Sequence, residues 1–354
     1  MSARPTLAFI GGFLGAGKTT LILTAARELE HRGFRAAVIL NDQGDSLVDT
    51  RLAQSRGLAA GEVTGGCFCC RFSALMEVVD ALQTHNPDVI LAEPVGSCTD
   101  ISATTLQPIR SAYPAYGLAP FTVLVDPARA RQLLQPEADA DLAFLFRKQL
   151  EEADLVCFTK SDLYPDAPDL PGATARQLSA KTGQGVAAWL DELLSGKLAA
   201  GGRVLQIDYE QYARAEASLA WLNLEATIEL DVPTSPALLL GPFLERLDQR
   251  LTAAGIPIVH LKTTDETPAG FLKAALCSNR QEPAVEGALD ASPASQHQLL
   301  VNLRAAGSPE QVRGIVESEL QGLGGNVATL SIACFRPAAP RPEHRFATVV
   351  PGPA

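Results

Sequence analysis

Short apolar runs alternate with amphipathic stretches over residues 1–195. The apolar runs predict buried strands at 7–10, 36–40, 89–92, 122–125 and 155–158. Apolar positions at helical spacing predict helices at 19–32, 73–83 and 142–152. Uncharged strands that alternate with helices are typical of a doubly wound, mostly parallel α/β sheet. Such a sheet carries its sites at the carboxyl ends of its strands.

A different pattern follows this α/β domain of residues 1–195. The glycine-containing segment 196–202 predicts the start of a linker, which we extend over 196–214. For 215–335 we predict a smaller α+β domain whose βαβ–βαβ layout, with one extra strand, resembles a ferredoxin-like sandwich. Its predicted elements are strands 220–230, 256–262, 271–278, 298–304 and 327–334, and helices 242–254 and 309–320. The proline-rich tail 336–354 is predicted to be disordered.

Composition and charge narrow the classes of partner. The chain has 354 residues, 47% hydrophobic content and a formal net charge of −11, without a cluster of basic residues. Nucleic acid and anionic membranes are therefore poor partners. The N-terminus lacks the apolar segment of a signal peptide, and no run of about 18 apolar residues occurs. Four scattered cysteines in an odd total of seven favour a reducing cytoplasm: Cys98, Cys157, Cys277 and Cys334.

A phosphate-binding sequence follows the first predicted strand. Residues 12–19 read Gly-Phe-Leu-Gly-Ala-Gly-Lys-Thr and match G-x-x-x-x-G-K-[ST] between a strand and a helix. In this motif backbone N–H groups cradle the phosphates, Lys18 bridges the β- and γ-phosphates, and the Thr19 hydroxyl binds Mg²⁺. The alternative is a plain glycine-rich turn. The predicted nucleotide-binding residues here are Gly12, Gly15, Ala16, Gly17, Lys18, Thr19 and Thr20.

Two later segments indicate the base. Thr159-Lys160-Ser161-Asp162 resembles the Asn-Lys-x-Asp motif of GTPases, in which the carboxylate accepts hydrogen bonds from guanine and the lysine stem covers the ring. Ser179-Ala180-Lys181 resembles the loop that contacts guanine O6. Together they favour GTP over ATP. Thr159 stands where the motif has asparagine, and we expect the loss of an amide tie to the phosphate loop to weaken base binding.

Acidic residues close two other predicted strands. Glu93 ends the strand 88–92, where we expect it near Mg²⁺, directly or through water, and Gly96 would let a backbone N–H approach the γ-phosphate. Asp42 and Asp45 follow the second strand, where a loop can contact Mg²⁺ or the attacking water. We assign catalysis to Lys18, Asp42 and Glu93, while a plain polar loop remains the alternative for the two aspartates. Asp126 also ends a strand, and we expect it to be structural.

Three cysteines lie within four residues, in Cys67-Phe68-Cys69-Cys70 after Gly65-Gly66. Thiolates at this density suit Zn²⁺ or another thiophilic ion. In an extended chain Cys70 would face away from the other two, so a shared ion requires a turn, which the two glycines permit. The alternative is that these are small apolar core residues. Three sulfurs leave a tetrahedral ion one ligand short, to be filled by Asp42, water or a client.

These motifs resemble those of the CobW-like GTPases. The resemblance covers residues 1–195 and rests on the phosphate loop, on Gly-Cys-x-Cys-Cys at 66–70 and on Glu-x-x-Gly at 93–96. It implies a P-loop GTPase that uses GTP and Mg²⁺ and binds zinc or cobalt through the cysteines. The family usually has Asn-Glu-Phe-Gly where this chain has Asn41-Asp42-Gln43-Gly44. With only five histidines, which are scattered, metal storage is not expected.

The order of the motifs along the chain suggests that the GTP state reorders loops 41–50 and 61–72 and so changes the geometry of the thiolates. The resemblance implies a metallochaperone, which the scattered cysteines place in the cytoplasm. It would deliver metal to a client metalloprotein, or support assembly of a metal-containing cofactor, and a GTP-dependent dimer fits the same scheme. Two alternatives stay open. One is a GTP-dependent chaperone of a metalloenzyme that transfers no metal, and the other is a P-loop kinase of small molecules.

Overall fold

The computed structural model describes residues 5–41, 53, 57–170 and 175–351. The chain divides into two compact units, which we describe separately. The first unit comprises Met1–Ala215 together with Ala339–Ala354, and the second comprises Glu216–Ala338. The predicted linker 196–214 therefore belongs to the first unit, and the chain returns to that unit at its end.

The first unit is built on one parallel sheet in the order β3-β2-β4-β1-β6-β7-β8, with β5 beside β1. This confirms the predicted α/β class, and each of the five predicted strands is present. The additional strands are short and partly exposed at their side chains, so they lack the apolar signal of the others. The strands are β1 Thr6–Gly12, β2 Ala36–Asn41, β3 Ala59–Val63, β4 Val89–Ala92, β5 Gly117–Leu118, β6 Thr122–Val125, β7 Leu155–Phe158 and β8 Ala175–Gln177.

Helices connect these strands and bury one apolar stripe each. In α2, for example, Leu75, Met76 and Val79 are buried at the spacing of one helix face. Among the described residues, no helix combines the length and apolarity needed to cross a membrane. The helices are α1 Lys18–His31, α2 Phe72–Leu82, α3 Gln107–Ala112, α4 Pro127–Leu133, α5 Ala140–Glu152, α6 Val186–Leu193 and α7 Tyr209–Ala217, with a 3₁₀ turn Gln83–His85 and a π-helical turn Ser102–Leu106.

The second unit holds an antiparallel sheet in the order β12-β11-β10-β13-β9-β14. Its strands β10, β13, β9 and β14, with helices α8 and α9, have the predicted ferredoxin-like arrangement, and the hairpin β11–β12 extends it. The elements are β9 Ala220–Thr234, α8 Pro236–Ala253, β10 Ile258–Thr267, β11 Gly270–Leu276, β12 Ala284–Gly287, β13 Ala294–Ala305, α9 Pro309–Gln321 and β14 Asn326–Phe335. Helix α8 starts at Pro236 rather than at the predicted residue 242, because Ser235 caps it and Pro242 is accommodated inside it.

The C-terminal tail is ordered against the first unit, which corrects the predicted disorder over the described part of 336–354. Phe346 N–H donates to Ala103 O at 3.0 Å, and Val350 N–H donates to Gln107 Oε1 at 2.8 Å. Composition predicted disorder because the tail has few apolar residues. Hydrogen bonds of its backbone and the partly buried ion pair of Arg345 with Asp100 hold it in place. Amino-acid composition does not reveal such contacts.

Candidate functional site

The loop between β1 and α1 leads into the N-terminus of a helix, a position that favours an anion. Ala16 N–H donates to Phe13 O at 3.0 Å and closes the loop, and Gly17 precedes the first residue of α1. Among the described residues no side chain caps this helix, and its first turn carries no acidic residue. The N–H groups at the start of α1 and the positive end of its dipole therefore favour phosphate.

Lys18 is the first residue of α1 and has only 7% of its surface exposed. Its Nζ donates to Gly12 O at 2.9 Å and lies 3.9 Å from Glu93 Oε1. A Cβ placed on Gly96 would lie 3.0 Å from the same Nζ and 2.8 Å from Leu14 Cδ2. Gly96 thus brings the chain after β4 close to Lys18, and a larger residue there would require Leu14 to move. The predicted phosphate-site residues Lys18, Glu93 and Gly96 lie together.

The other predicted residues of this loop lie on the same helix. Thr19 is buried in the first turn of α1, and Thr20 next to it is exposed. The loop after β4 is held from behind by Gln149 of α5, whose Nε2 donates to Gly96 O at 3.0 Å and to Cys98 O at 2.8 Å. Sequence reasoning missed Gln149, since a glutamine within a helix carries no motif.

The two segments predicted to bind the base lie side by side. Ser179 Oγ donates to Asp162 Oδ1 at 2.6 Å, and Thr182 N–H donates to Ser179 Oγ at 3.1 Å. Ala180 O accepts a hydrogen bond from Thr24 Oγ1 of α1 at 2.8 Å, and Lys181 is exposed. The second loop therefore positions the Asp162 carboxylate, which is itself exposed at the surface.

Thr159 keeps the connection that the sequence suggested was lost. Its Oγ1 donates to Ala16 O at 2.9 Å, which ties the base loop to the phosphate loop. The amide is absent, as the sequence indicated, but the threonine hydroxyl joins the two loops in its place, and weaker base binding stays a prediction. Lys160 contacts Asp126, with 2.6 Å between Nζ and Oδ2, while Asp126 Oδ1 accepts from Ala128 N–H at 2.8 Å and caps α4.

A tight turn brings the three clustered thiols to one side of the backbone. Gly65 has φ +69, and the N–H groups of Cys70 and Arg71 both donate to Cys67 O at 3.0 Å. The Sγ atoms of Cys67 and Cys69 are 2.7 Å apart, and those of Cys69 and Cys70 are 3.7 Å apart. Among the described residues, all three sulfurs lie within 4.8 Å of one another and form a group that could hold a metal ion.

Asn41 fixes this cysteine turn to the end of β2. Its Nδ2 donates to Val63 O at 2.8 Å and to Gly66 O at 2.7 Å, and its Oδ1 accepts from Phe68 N–H at 3.1 Å. Phe68 is fully buried against Phe9 of β1, with the two rings edge to face. The turn is therefore held by polar and apolar contacts alike. The neighbouring Asp42 and Asp45 lie outside the described residues.

Cys98 is a fourth cysteine at this cluster, which the sequence suggested was scattered. It is buried in the loop after β4, and its thiol is hydrogen-bonded with Cys67 and Cys69. The sequence signal that could have placed Cys98 at the cluster was its position after a predicted strand. Both cysteine segments follow strands of one parallel sheet, and the carboxyl ends of such strands share an edge.

The thiols share one favourable position for negative charge. Hydrogen bonds from Cys69, Cys70 and Cys98 hold the pKa of the Cys67 thiol well below its ordinary value. A hydrogen bond with Cys67 holds the pKa of the Cys69 thiol well above its ordinary value. Cys70 also has a hydrogen bond with Cys67, and this is the main cause that raises the pKa of the Cys70 thiol to about 11. One thiolate at Cys67 is therefore stabilised by its neighbours.

The tail passes over the exposed side of the cluster. Arg341 N–H donates to Cys70 Sγ at 3.1 Å, and Glu343 N–H donates to Cys69 O at 2.9 Å. Glu343 Oε2 accepts from the N–H and the hydroxyl of Ser73 at the start of α2. The tail backbone thus contacts the Cys70 sulfur and the Cys69 carbonyl, and the Glu343 side chain contacts the helix that follows them.

Two buried carboxyls lie behind the loop after β4. Asp100 Oδ2 accepts from Arg345 Nε of the tail at 2.7 Å and from the Tyr209 hydroxyl at 2.8 Å. Glu152 of α5 accepts from Thr99 Oγ1 at 3.0 Å, and burial together with the charge of Asp100 raises its pKa to about 8. Burial also raises the pKa of Asp100, although Arg345 opposes the shift.

The sulfur cluster fits a thiophilic ion in chemistry and, after a small opening, in spacing. A zinc–sulfur distance of about 2.3 Å in a tetrahedron separates neighbouring sulfurs by about 3.8 Å. Cys69 and Cys70 already meet that spacing at 3.7 Å. Cys67 and Cys69, at 2.7 Å, must move apart by about 1 Å.

Comparisons with known proteins agree with this geometry. The family model described as the CobW/HypB/UreG nucleotide-binding domain matches residues 6–186. The chain is 33% identical over 157 residues to the zinc chaperone YeiR of Escherichia coli (strain K12), covering 43% of this chain and 45% of that protein. It is 29% identical over 171 residues to the zinc chaperone YjiA of the same strain, covering 47% and 52%. It is 31% identical over 198 residues to the zinc chaperone CobW of Sinorhizobium sp, covering 49% and 55%. The chain spans about half the length of these relatives.

Proposed function

This chain belongs to the CobW/HypB/UreG nucleotide-binding family, as its motifs predicted, and we propose that it is a GTP-hydrolysing metallochaperone. In this proposal it binds Zn²⁺ or Co²⁺ at Cys67, Cys69 and Cys70 and couples its GTP state to delivery of the metal. One observation carries the proposal. The loop after β4 contacts Lys18 of the phosphate site through Glu93 and reaches the cysteine cluster through Cys98.

The nucleotide part of the proposal rests on side chains that already converge. Lys18 would exchange its hydrogen bond with Gly12 O for the β- and γ-phosphates. The Thr19 hydroxyl would hold Mg²⁺, with Glu93 close by or acting through water, and bound Mg²⁺ would neutralise phosphate charge. Asp162 would accept hydrogen bonds from guanine N1 and N2, which adenine cannot supply in that pattern. Asp42, the third acid assigned to catalysis, remains a prediction outside the described residues.

The metal part rests on the three clustered sulfurs of Cys67, Cys69 and Cys70 and on the relatives, which are named zinc chaperones. Delivery requires a client, which we propose to be a metalloprotein or an enzyme that uses a metal cofactor. The cytoplasm suits a chain whose seven cysteines are all free thiols. A GTP-dependent dimer remains part of the proposal.

Two variants test the two halves separately. Lys18→Ala is expected to abolish GTP turnover and leave zinc stoichiometry unchanged, because it removes phosphate contacts alone. The double variant Cys67→Ser/Cys69→Ser is expected to abolish stoichiometric Zn²⁺ and Co²⁺ binding and leave GDP affinity unchanged. Steady-state phosphate release and equilibrium dialysis measure both. Unchanged metal stoichiometry in the double variant would remove the metal from the proposal.

A chaperone that keeps its metal is the second candidate. The 2.7 Å contact between Cys67 and Cys69 favours it, because thiols at this distance also suit structural or redox chemistry. The discriminating measurement is zinc transfer to a chelator after addition of GTP. Release supports delivery, whereas retention supports timing by hydrolysis alone. Phosphoryl transfer to a metabolite in place of water would indicate a kinase.

A further inference from the structure

Cys98 differs from the other isolated cysteines in what it contacts. Its thiol is 3% exposed and is hydrogen-bonded with two cluster thiols, those of Cys67 and Cys69. Cys157 is equally buried, but it lies on β7 within the apolar core of the first unit. A buried cysteine is ordinarily a small apolar residue. The sulfur of Cys98 instead lies beside the sulfurs of Cys67 and Cys69.

The backbone around Cys98 is held in place from two directions. Cys98 N–H donates to Val95 O at 3.0 Å, and Cys98 O accepts from Gln149 Nε2 at 2.8 Å. The next residue, Thr99, donates through its hydroxyl to Glu152 at 3.0 Å. The sulfur is therefore presented to the cluster by an ordered loop.

A fourth thiolate would satisfy the coordination that three leave incomplete. Structural zinc sites are usually tetrahedral with four protein ligands, and a four-sulfur set is among the common ones. Cys67 and Cys69 each contact both Cys70 and Cys98. Cys70 lies on the side covered by the tail, and Cys98 belongs to the loop after β4. Cys98 is not among the three sulfurs that already lie mutually within 4.8 Å, so closing the site requires a small approach.

We propose that Cys98 is a fourth ligand of the metal, a role that rests on the proposed site at Cys67, Cys69 and Cys70. The ion would be a thiophilic divalent cation such as Zn²⁺ or Co²⁺. Each thiol that binds gives its proton to solvent, and no electron transfer is involved.

This ligand would connect the metal with the nucleotide. Cys98 lies two residues after Gly96, whose backbone adjoins Lys18 Nζ. A γ-phosphate at Lys18 would accept a hydrogen bond from the Gly96 N–H and so shift the residues that follow Gly96. Cys98 would then leave the ion, and the site would change from four sulfurs, which retain a metal, to three sulfurs, which can pass it on. The other three ligands belong to a different loop and would stay.

X-ray absorption on the zinc-bound full-length protein tests the proposal without any substitution. With GDP we expect four sulfur neighbours at about 2.3 Å. With a non-hydrolysable GTP analogue we expect three sulfurs and one lighter atom. Three sulfurs in both states would overturn the assignment of Cys98, and four in both would overturn its coupling to the nucleotide.

Variants add a second measurement. Cys98→Ser is expected to weaken zinc binding about 10–100-fold or more, since loss of a ligand costs at least as much as loss of an outer partner. The sulfur-to-cobalt charge-transfer absorption should fall by about a quarter, as one of four thiolates is lost. Cys157→Ala, which removes a buried thiol outside the cluster, is the matched control and should change neither.

The outcome separates this proposal from the broader one. Unchanged affinity and absorption in Cys98→Ser, together with loss of binding in Cys67→Ser/Cys69→Ser, would refute Cys98 and leave the metal site standing. Metal binding that survives in both variants would refute the site itself. GDP affinity reports whether each variant folds. If Cys98→Ser does not fold, X-ray absorption on the unsubstituted protein decides whether Cys98 is a ligand.

Discussion

Several single side chains in this protein form hydrogen bonds between loops that their residue types alone do not predict. The Thr159 hydroxyl ties the base loop to Ala16 O, because the backbone brings the two loops close enough for a short side chain. Gln149 holds the loop after β4 through two carbonyls, and Glu152, one turn further along α5, accepts hydrogen bonds from the same loop. These contacts make α5 the support of the loop that joins the two sites.

Burial of Glu152 makes the stability of the first unit depend on pH. Its pKa is about 8 in the folded chain and about 4.5 in an ordinary environment, so folding takes up a proton between these values. Stability from this group is fully present below about pH 4.5 and is lost as pH rises through about 8. Glu152→Gln cannot ionise, and it should be more stable than the parent by about 3–5 kcal/mol at pH 9, with little difference at pH 4.

Urea unfolding at pH 4, 6.5 and 9 measures this difference. Glu151→Gln is the matched control, because Glu151 lies next to Glu152 on α5 but pairs with Lys148 at the surface. It should follow the parent at every pH. A Glu152→Gln variant whose advantage does not grow with pH would show that Glu152 stays ionised in the fold.

At the scale of elements, the carboxyl edge of the parallel sheet assembles the site. Asn41 ends β2, and the segments after β1, β3 and β4 supply the phosphate loop, the cysteine turn and the Glu93–Cys98 segment. Asn41 makes three side-chain hydrogen bonds, which join the end of β2 to Val63, Gly66 and Phe68. The cysteine turn is therefore positioned by a residue of another strand.

Asn41→Ala should loosen the cysteine turn and spare the nucleotide site. Loss of three hydrogen bonds, two of them buried, is expected to destabilise the first unit by about 1–3 kcal/mol. Zinc affinity should fall about tenfold or more, because the ligands are no longer held in place. Titrations with Zn²⁺ and GDP measure both affinities. Asn302→Ala, which removes a hydrogen bond to Asn223 in the second unit, is the control, and equal zinc affinities for the two variants would contradict the assignment.

At the scale of the whole molecule, the chain leaves the first unit after Ala215, builds the second unit and returns at Ala339. The returning tail covers the cysteine turn and inserts Arg345 toward the buried Asp100, with 31% of the Arg345 side chain exposed. Both ends of the second unit are thereby connected to the unit that carries the site.

Removal of residues 339–354 should speed metal exchange. The tail covers Cys70 and donates to its sulfur, so its loss should raise the rate of zinc release to a chelator about tenfold, equivalent to about 1.4 kcal/mol. Arg345→Glu in the full chain, which places a carboxylate against Asp100, should act in the same direction. Arg341→Ala retains the backbone N–H at Cys70 and should release zinc at the parent rate. Equal rates for all four proteins would show that the tail does not restrict access.

Much of the architecture followed from local patterns. The five uncharged runs became strands of the parallel sheet because a strand buried on both faces must be apolar. The phosphate-loop match lies between β1 and α1 as expected. Strands β3 and β8 escaped prediction, since they are only partly buried and are set by their neighbours in the sheet.

Sequence by itself determined the class of fold, the phosphate loop, the cysteine turn and the family, because each depends on residues close together in the chain. Tertiary structure alone decided that Cys98 joins the other cysteines, that Thr159 retains its tie and that the tail covers the cluster. These contacts link residues far apart in the chain, such as Cys69 with Cys98, 29 positions apart, and Cys70 with Arg341, 271 positions apart. Such pairs leave no periodic or spacing signal, and only the packing of the strands brings them together.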